Sequence, residues 1–245
     1  MDSAILYTQT LPLSFFMFFS IYLHAYFVIF RNWGRYRKEA SSSFMSLTHG
    51  TPAVFLALSA LLHTQSSYNF ASPNSTLHNR VLEFSMAYFL MDLIHYMVFF
   101  PTNLLFILHH LATLYVIVTC RYVVNHGAYE ILVLLILAEV TSGFQNVWSI
   151  VGFRKADVPI AKRLHEVLSP LFLAFYSVVR GILGPLFTFK MGSFYLSGEA
   201  NGMIPRWAWI SWMVVIITAI LVSILWVSSH WTDLLRERNR QKKVR

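Results

Sequence analysis

The chain carries a single cysteine, Cys120, in 245 residues, and only 12% of it is charged. One thiol excludes an intrachain disulfide framework and any cysteine-rich zinc site. Against 56% hydrophobic residues, so small a charged fraction excludes an ordinary soluble domain, where about a quarter of residues are charged. Stretches of alternating polarity, the mark of barrel strands, are missing, so the sequence predicts no sheet. No small-xxx-small seam dominates the apolar runs either, which leaves the oligomeric state open.

What the chain has is hydrocarbon in long blocks. Crossing the roughly 30 Å of a bilayer core takes about 17–25 mostly apolar residues, and seven runs approach or meet this: 11–30, 44–62, 84–100, 104–120, 128–150, 167–189 and 208–230. The third and fourth are the shortest, separated only by Pro101, Thr102 and Asn103, and read as a tight helical hairpin. The predicted fold is all-α, a polytopic transmembrane helical bundle of about seven spans, with six to eight as the range. The first run lacks a basic leader and is too long for a signal core, so it is expected to stay. Trp207, Trp209 and Trp212 at the start of the last run, with Trp226 and Trp231 near its end, suit an interfacial aromatic belt.

Lys and Arg set the orientation. With seven spans, one side receives four basic residues in 31–43, four in 151–166 and six after 230, whereas the other receives Arg80, Arg121, Lys190 and Arg206. This bias predicts a lumenal N-terminus and a cytosolic C-terminus. The formal charge of +8 then reflects topology and attraction to an anionic leaflet, and calls for no nucleic acid. The final Lys242, Lys243, Val244 and Arg245 resemble a dilysine retrieval signal, which points to the endoplasmic reticulum. Asn74-Ser75-Thr76 is a glycosylation sequon in a loop assigned outside, although Asn74 is equally suited to capping the next helix.

Ionisable residues inside the spans are costly and mark pockets or locks. By helix rise, His24, His49, His95, His109 and His110 fall in one layer about 8–9 Å from the cytosolic edge, with Asp92 a few ångströms deeper. Asp92 and His95 share a face at i, i+3, while Thr113 stands one turn above His109 and His110. Glu139, Ser142 and Asn146 descend on one face of the fifth span toward the same layer. Arg180, in the sixth, is placed to pair with Glu139. Together these predict a polar pocket open toward the cytosolic leaflet.

The run His109-His110-Leu111-Ala112-Thr113 resembles the HHxxT element of the TLC-domain family, which includes the ceramide synthases. Asp92 in YFLMDLIHY is similar to that family's YFxxD element, and Glu139 through Asn146 to the E-x-[ST]-x-x-F-x-N stretch of its smaller members. Arg180 in FYSVVRGILGPLF is similar to the arginine of its penultimate span. The resemblance covers about residues 31–240. It implies an N-terminal span at 1–30, a TLC-type transmembrane domain at 31–235 and a basic cytosolic tail at 236–245. Where ceramide synthases carry HDxxD, this chain has Ala138-Glu139-Val140-Thr141-Ser142, without the histidine or the final aspartate. It is therefore more similar to the small TLC-domain proteins, whose role touches membrane lipid composition.

Enzyme and binding protein both stay open. As an enzyme of lipid metabolism, the chain would transfer an acyl group to or from a membrane lipid. His109 or His110 would act as base or nucleophile, oriented by Asp92 or Glu139, with His49, His95, Thr113, Ser142, Asn146 and Arg180 lining the substrate pocket. No cofactor is expected to stay bound, acyl-CoA would be the co-substrate, and the basic loops would meet its phosphates or an anionic headgroup. As a non-catalytic protein, it would hold a lipid in the same pocket and regulate membrane lipid homeostasis. A metal-dependent lipid oxidase ranks last, because the repeated H-x-x-H-H boxes of membrane desaturases are missing; no metal is expected.

Overall fold

The computed structural model describes residues 9–63 and 69–244, the side chains at 237, 238 and 240–244 excepted. The retrieval-like end, Lys242 to Arg245, lies outside the residues whose side chains are described. Among the described residues the chain is helical throughout, with no strand beyond an isolated bridge of Pro73 to His126. Seven helices are long and apolar enough to cross a membrane: α1 (Thr10–Ile29), α2 (Gly34–Leu62), α3 (Thr76–Phe99), α4 (Leu104–Val124), α5 (Ala128–Phe153), α6 (Pro159–Leu196) and α7 (Arg206–Val244). The expected all-α bundle of seven spans is thus observed, with the Pro101–Asn103 turn closing the α3–α4 hairpin.

The helices run further than the apolar blocks that predict them, and the reasons are local. α3 starts at Thr76 because Ser75 caps it: Ser75 Oγ accepts from His78 N at 3.1 Å while His78 Nδ1 accepts from Ser75 N at 3.3 Å, a reciprocal box with histidine in the usual Glu or Gln place. The polar first turns of α3 stay helical inside the bundle because buried Glu83 meets Arg121 of α4 at 2.8 Å. α4 extends through a π turn, Thr119–Val124, and stops where Asn125 adopts φ +57°, a left-handed position that asparagine tolerates. α6 opens with Pro159 at its first turn, where no amide hydrogen is missed.

α5 is not the single helix that the sequence suggests. It breaks into Ala128–Glu139 and Ser142–Phe153. At the break the Ala138 carbonyl accepts from Arg180 Nη2 at 2.5 Å and from Thr141 Oγ1 at 3.2 Å. Side chains thus take up the acceptor that marks the end of the first helical segment.

α3 is the most enclosed of the seven and α7 the least. α1, α2 and α4 pack around α3, α2 also meets α5, and α6 and α7 close the other side. Phe18, Met45, Leu82 and Leu132 are buried in the shared core, and so is Trp212. This corrects the reading of Trp212 as a belt residue: it is fully enclosed and its indole N–H donates to Thr119 Oγ1 at 2.8 Å. A buried indole needs a partner of this kind. Trp207, by contrast, is exposed.

At the α7-start end of the bundle, Asn74 is a clasp and not a cap. Its Nδ2 donates to the Cys120 carbonyl at 2.9 Å and its Oδ1 accepts from Ala128 N at 2.9 Å. It therefore joins the end of α4 to the start of α5, and Cys120 lies buried beneath as a free thiol. The sequon nitrogen is occupied by this bond. Asn74→Ala should cost about 1–3 kcal/mol for each buried group left without a partner, read as a lower thermal midpoint in mild detergent. The intact mass of the wild-type protein should be unchanged by glycosidase; a mass loss of glycan size would refute the clasp as its native state.

Candidate functional site: an apolar cavity beside a locked histidine

Asp92 is the centre of the polar layer. Projecting from α3, it is 3% exposed and would be costly there alone. Two neighbouring helices satisfy it: Ser42 Oγ of α2 donates to Oδ1 at 2.7 Å, and His110 Nε2 of α4 lies 2.9 Å from Oδ2. His110 Nδ1 in turn donates to the Phe106 carbonyl at 2.7 Å. With Nδ1 protonated for that bond, the Nε2 to Oδ2 contact holds one shared proton. Neither nitrogen of His110 then offers a free lone pair.

His109 is placed differently. One residue earlier, about 100° around the helix, its ring turns away from Asp92 and stands exposed on the wall of a cavity. No hydrogen bond engages either of its ring nitrogens among the described residues, and its neighbours are the rings of Phe89 and His110, centroids 6.5 and 5.5 Å away. Thr113, on the same wall, donates its hydroxyl to the His109 carbonyl at 2.8 Å. This bond fixes the turn that carries His109.

The cavity has a volume of about 170 Å³ and lies between α4, α5, α6 and α7. On α4 its wall runs from His109 to Ile117 and on α5 from Glu139 back to Ile131, eight residues along each helix and hence about 12 Å of rise. Its polar members are His109, Thr113, Glu139, Arg180 and Ser223, and the remaining wall is apolar apart from a glycine. On α4, α5 and α7 the polar groups occupy the end nearer the basic loops. Hydrocarbon occupies the other. An apolar slot with a few convergent polar groups is the ordinary form of a site for an amphiphile.

Arg180 reaches this wall because α6 widens into a π turn at Val179–Leu183, a distortion often found at functional sites. The expected pair with Glu139 is absent: Arg180 binds the Ala138 carbonyl instead, and its buried Nε has no partner. The break in α5 draws that carbonyl toward the guanidinium. Glu139 points to α2, with Oε2 3.9 Å from His49 Nδ1. Gly50 makes this approach feasible, since a Cβ there would stand 2.7 Å from Oε2 and 2.9 Å from Ser142 Oγ.

The other expected pocket residues are buried at helix crossings outside the cavity. His49 stacks on Tyr88 with centroids 4.0 Å apart and meets Ser85 Oγ at 3.1 Å. His95 meets the Tyr22 hydroxyl at 2.9 Å. Asn146 donates to Ser46 Oγ and to the Ser142 carbonyl, both at 2.9 Å, and to Ser142 Oγ at 3.1 Å. His24 does not join the histidine layer; it is exposed on the outer face of α1, about 200° around the helix from buried Tyr22. Among the described residues no three His, Cys, Asp or Glu side chains converge as metal ligands. Ser42, Ser85 and Ser223 escaped sequence reasoning, because a serine in an apolar run costs little and leaves no signal.

The sequence model of the TLC domain matches residues 39–232. The chain is also 55% identical, over 235 residues, to the TLC domain-containing protein At5g14285 of Arabidopsis thaliana, covering 95% of this chain and 92% of that protein. No solved structure matches. The matched region contains the Asp92 and His110 lock, the free His109 and the cavity between α4 and α7, and by these two matches the chain belongs to the TLC-domain family.

Proposed function

We propose that this chain transfers an acyl group to or from a membrane lipid, with His109 as the general base. One observation carries the reading: of two adjacent histidines, one is held at both nitrogens while the other stands, unbonded, on the wall of an apolar slot. In this reading the acyl chain lies along the apolar wall, where each methylene brought out of water contributes about 0.8 kcal/mol. Its carbonyl sits at the polar end. His109 takes the proton from an attacking lipid hydroxyl or amine as the new C–O or C–N bond forms. The C–S bond of an acyl-CoA breaks, and the leaving thiolate receives that proton. Arg180, with an unspent N–H, faces the carbonyl oxygen as charge develops on it. Asp92 and His110 are positioning residues, because they fix the face of α4 that carries His109.

A second reading is favoured by Ala138 and Ser142, which stand where the ceramide synthases resembled by this chain carry the histidine and final aspartate of HDxxD. Here the cavity holds a lipid without converting it, and the protein regulates membrane lipid composition.

Two single variants separate these roles. His109→Ala should lower the turnover of acyl-CoA with lipid acceptors by about 10² to 10⁴ and leave the thermal midpoint unchanged. His110→Ala should unfold more easily, by about 3–5 kcal/mol, because Asp92 is left buried without its partner. Product is read by mass spectrometry on protein purified in mild detergent. Undiminished turnover in His109→Ala would sink the base assignment. No turnover in wild type, with a lipid that co-purifies and is lost in His109→Ala, would establish the second reading.

A further inference from the structure

A separate cleft opens at the basic end of the bundle, where the turn between α1 and α2 meets the turn between α5 and α6. It has a volume of about 350 Å³, and Asn32, Trp33, Arg35, Tyr36, Arg154 and Asp157 line it. It shares no residue with the His109 cavity. Through Trp33 it adjoins the apolar cluster of Phe30, Phe44, Ile150 and Phe153 around Ala25 and Ala40, and Tyr36 stacks on Phe153 with centroids 5.7 Å apart. Gly34 adopts φ +55° in the turn, and a Cβ there would meet nothing within 4 Å. The glycine serves the left-handed backbone.

Both arginines are held against rings. Arg35 lies 4.7 Å from the centre of the Tyr36 ring and donates through Nη2 to the Tyr36 hydroxyl at 2.7 Å. Arg154 lies 5.2 Å from the Trp33 ring, with its Nε donating to Asp157 Oδ2 at 2.8 Å. A guanidinium resting on an aromatic face has already lost much of its side-chain freedom and keeps its N–H edge available. Among the described residues, the Nη edge of Arg154 and the Nε of Arg35 have no hydrogen-bond partner. Two cations face one carboxylate, so the cleft is net positive, and it opens at the end of the bundle that carries the basic loops. Planar N–H edges of this kind match phosphate oxygens two at a time.

We propose that this cleft binds a phosphate group, as a phosphomonoester or diphosphate, between Arg35 and Arg154. Asn32 offers a further donor, and Asp157 acts as the internal competitor that the ligand displaces from Arg154. The phosphate has two possible sources, a lipid headgroup or a soluble phosphate ester, and both present the same oxygens. The assignment is independent of whether His109 acts as a base.

The test is equilibrium binding to the full chain in phosphatidylcholine nanodiscs, with phosphatidic acid in the disc as one probe and adenosine 3′,5′-bisphosphate in solution as the other. Binding of either probe is expected, and the probe that binds identifies the source. Arg35→Gln with Arg154→Gln should weaken it by roughly 10- to 100-fold, and Asp157→Asn should strengthen it a few-fold. Affinity should fall as salt is raised. His109→Ala should bind as wild type does, which keeps this result distinct from any failure of the acyl-transfer reading. Binding of neither probe, equal affinity in the double-arginine variant, or loss of binding in His109→Ala would overturn the assignment.

Discussion

A carboxylate in hydrocarbon has to be answered from all sides, and the answer to Asp92 organises this molecule. Ser42 and His110 reach it from α2 and α4, on either side of α3. Through it, three helices of different sequence neighbourhoods acquire one register. Removal of any partner strands a polar group where water cannot replace it. The same bond sets the rotation of α4. Once His110 is drawn to Asp92 and anchored at Phe106, its neighbour has only one direction left, toward the α5 to α7 wall. The freedom of His109 is thus a consequence of the confinement of His110.

The second constraint is the Ala138 carbonyl. A broken α5 and a widened α6 are separate irregularities in sequence, yet they meet at this atom, which accepts from Thr141 and Arg180. Arg180 could not remain inside the span without an acceptor, and the break in α5 presents the Ala138 carbonyl to it. The two distortions therefore satisfy each other. Their product is a guanidinium and a carboxylate on one cavity wall that do not neutralise each other, since Glu139 is directed over Gly50 toward His49.

Much of this was legible in the amino-acid order. Seven apolar runs gave seven spans because hydrocarbon thickness leaves few alternatives, and the cost of Asp92, Glu139 and Arg180 marked them before any geometry. The helix ends were less legible, because Ser75 caps a polar turn that looks like loop, and the π turns of α4 and α6 are backbone events with no compositional trace. Which member of the His109 and His110 pair is free also could not be read. Adjacent residues differ only by a rotation, and that rotation is set by Asp92, eighteen positions earlier and on another helix. Depth counting grouped His24 with the others for the same reason: it fixes height in the membrane and says nothing of direction.

The break in α5 has a mechanical consequence. Its first half carries Glu139 and the cavity wall, and its second half ends at Arg154 in the cleft. A continuous helix would transmit a tilt at one end rigidly to the other. Here Val140 and Thr141 stand between, and the second half is tied instead to α2 through Asn146 and Ser46. α2 itself begins in the cleft, at Gly34 to Tyr36, and passes Ser42 and Gly50 on its way across. One path from the cleft to the cavity therefore runs through α2, to the carboxylates of Asp92 and Glu139 that touch it, and another runs along α6, which Trp148 binds through Ser169 and which carries Arg180. Coupling between a phosphate at Arg154 and an acyl chain beside His109 would shift α2 against α3 or α6 against α5, and linkage requires such coupling to act equally in both directions.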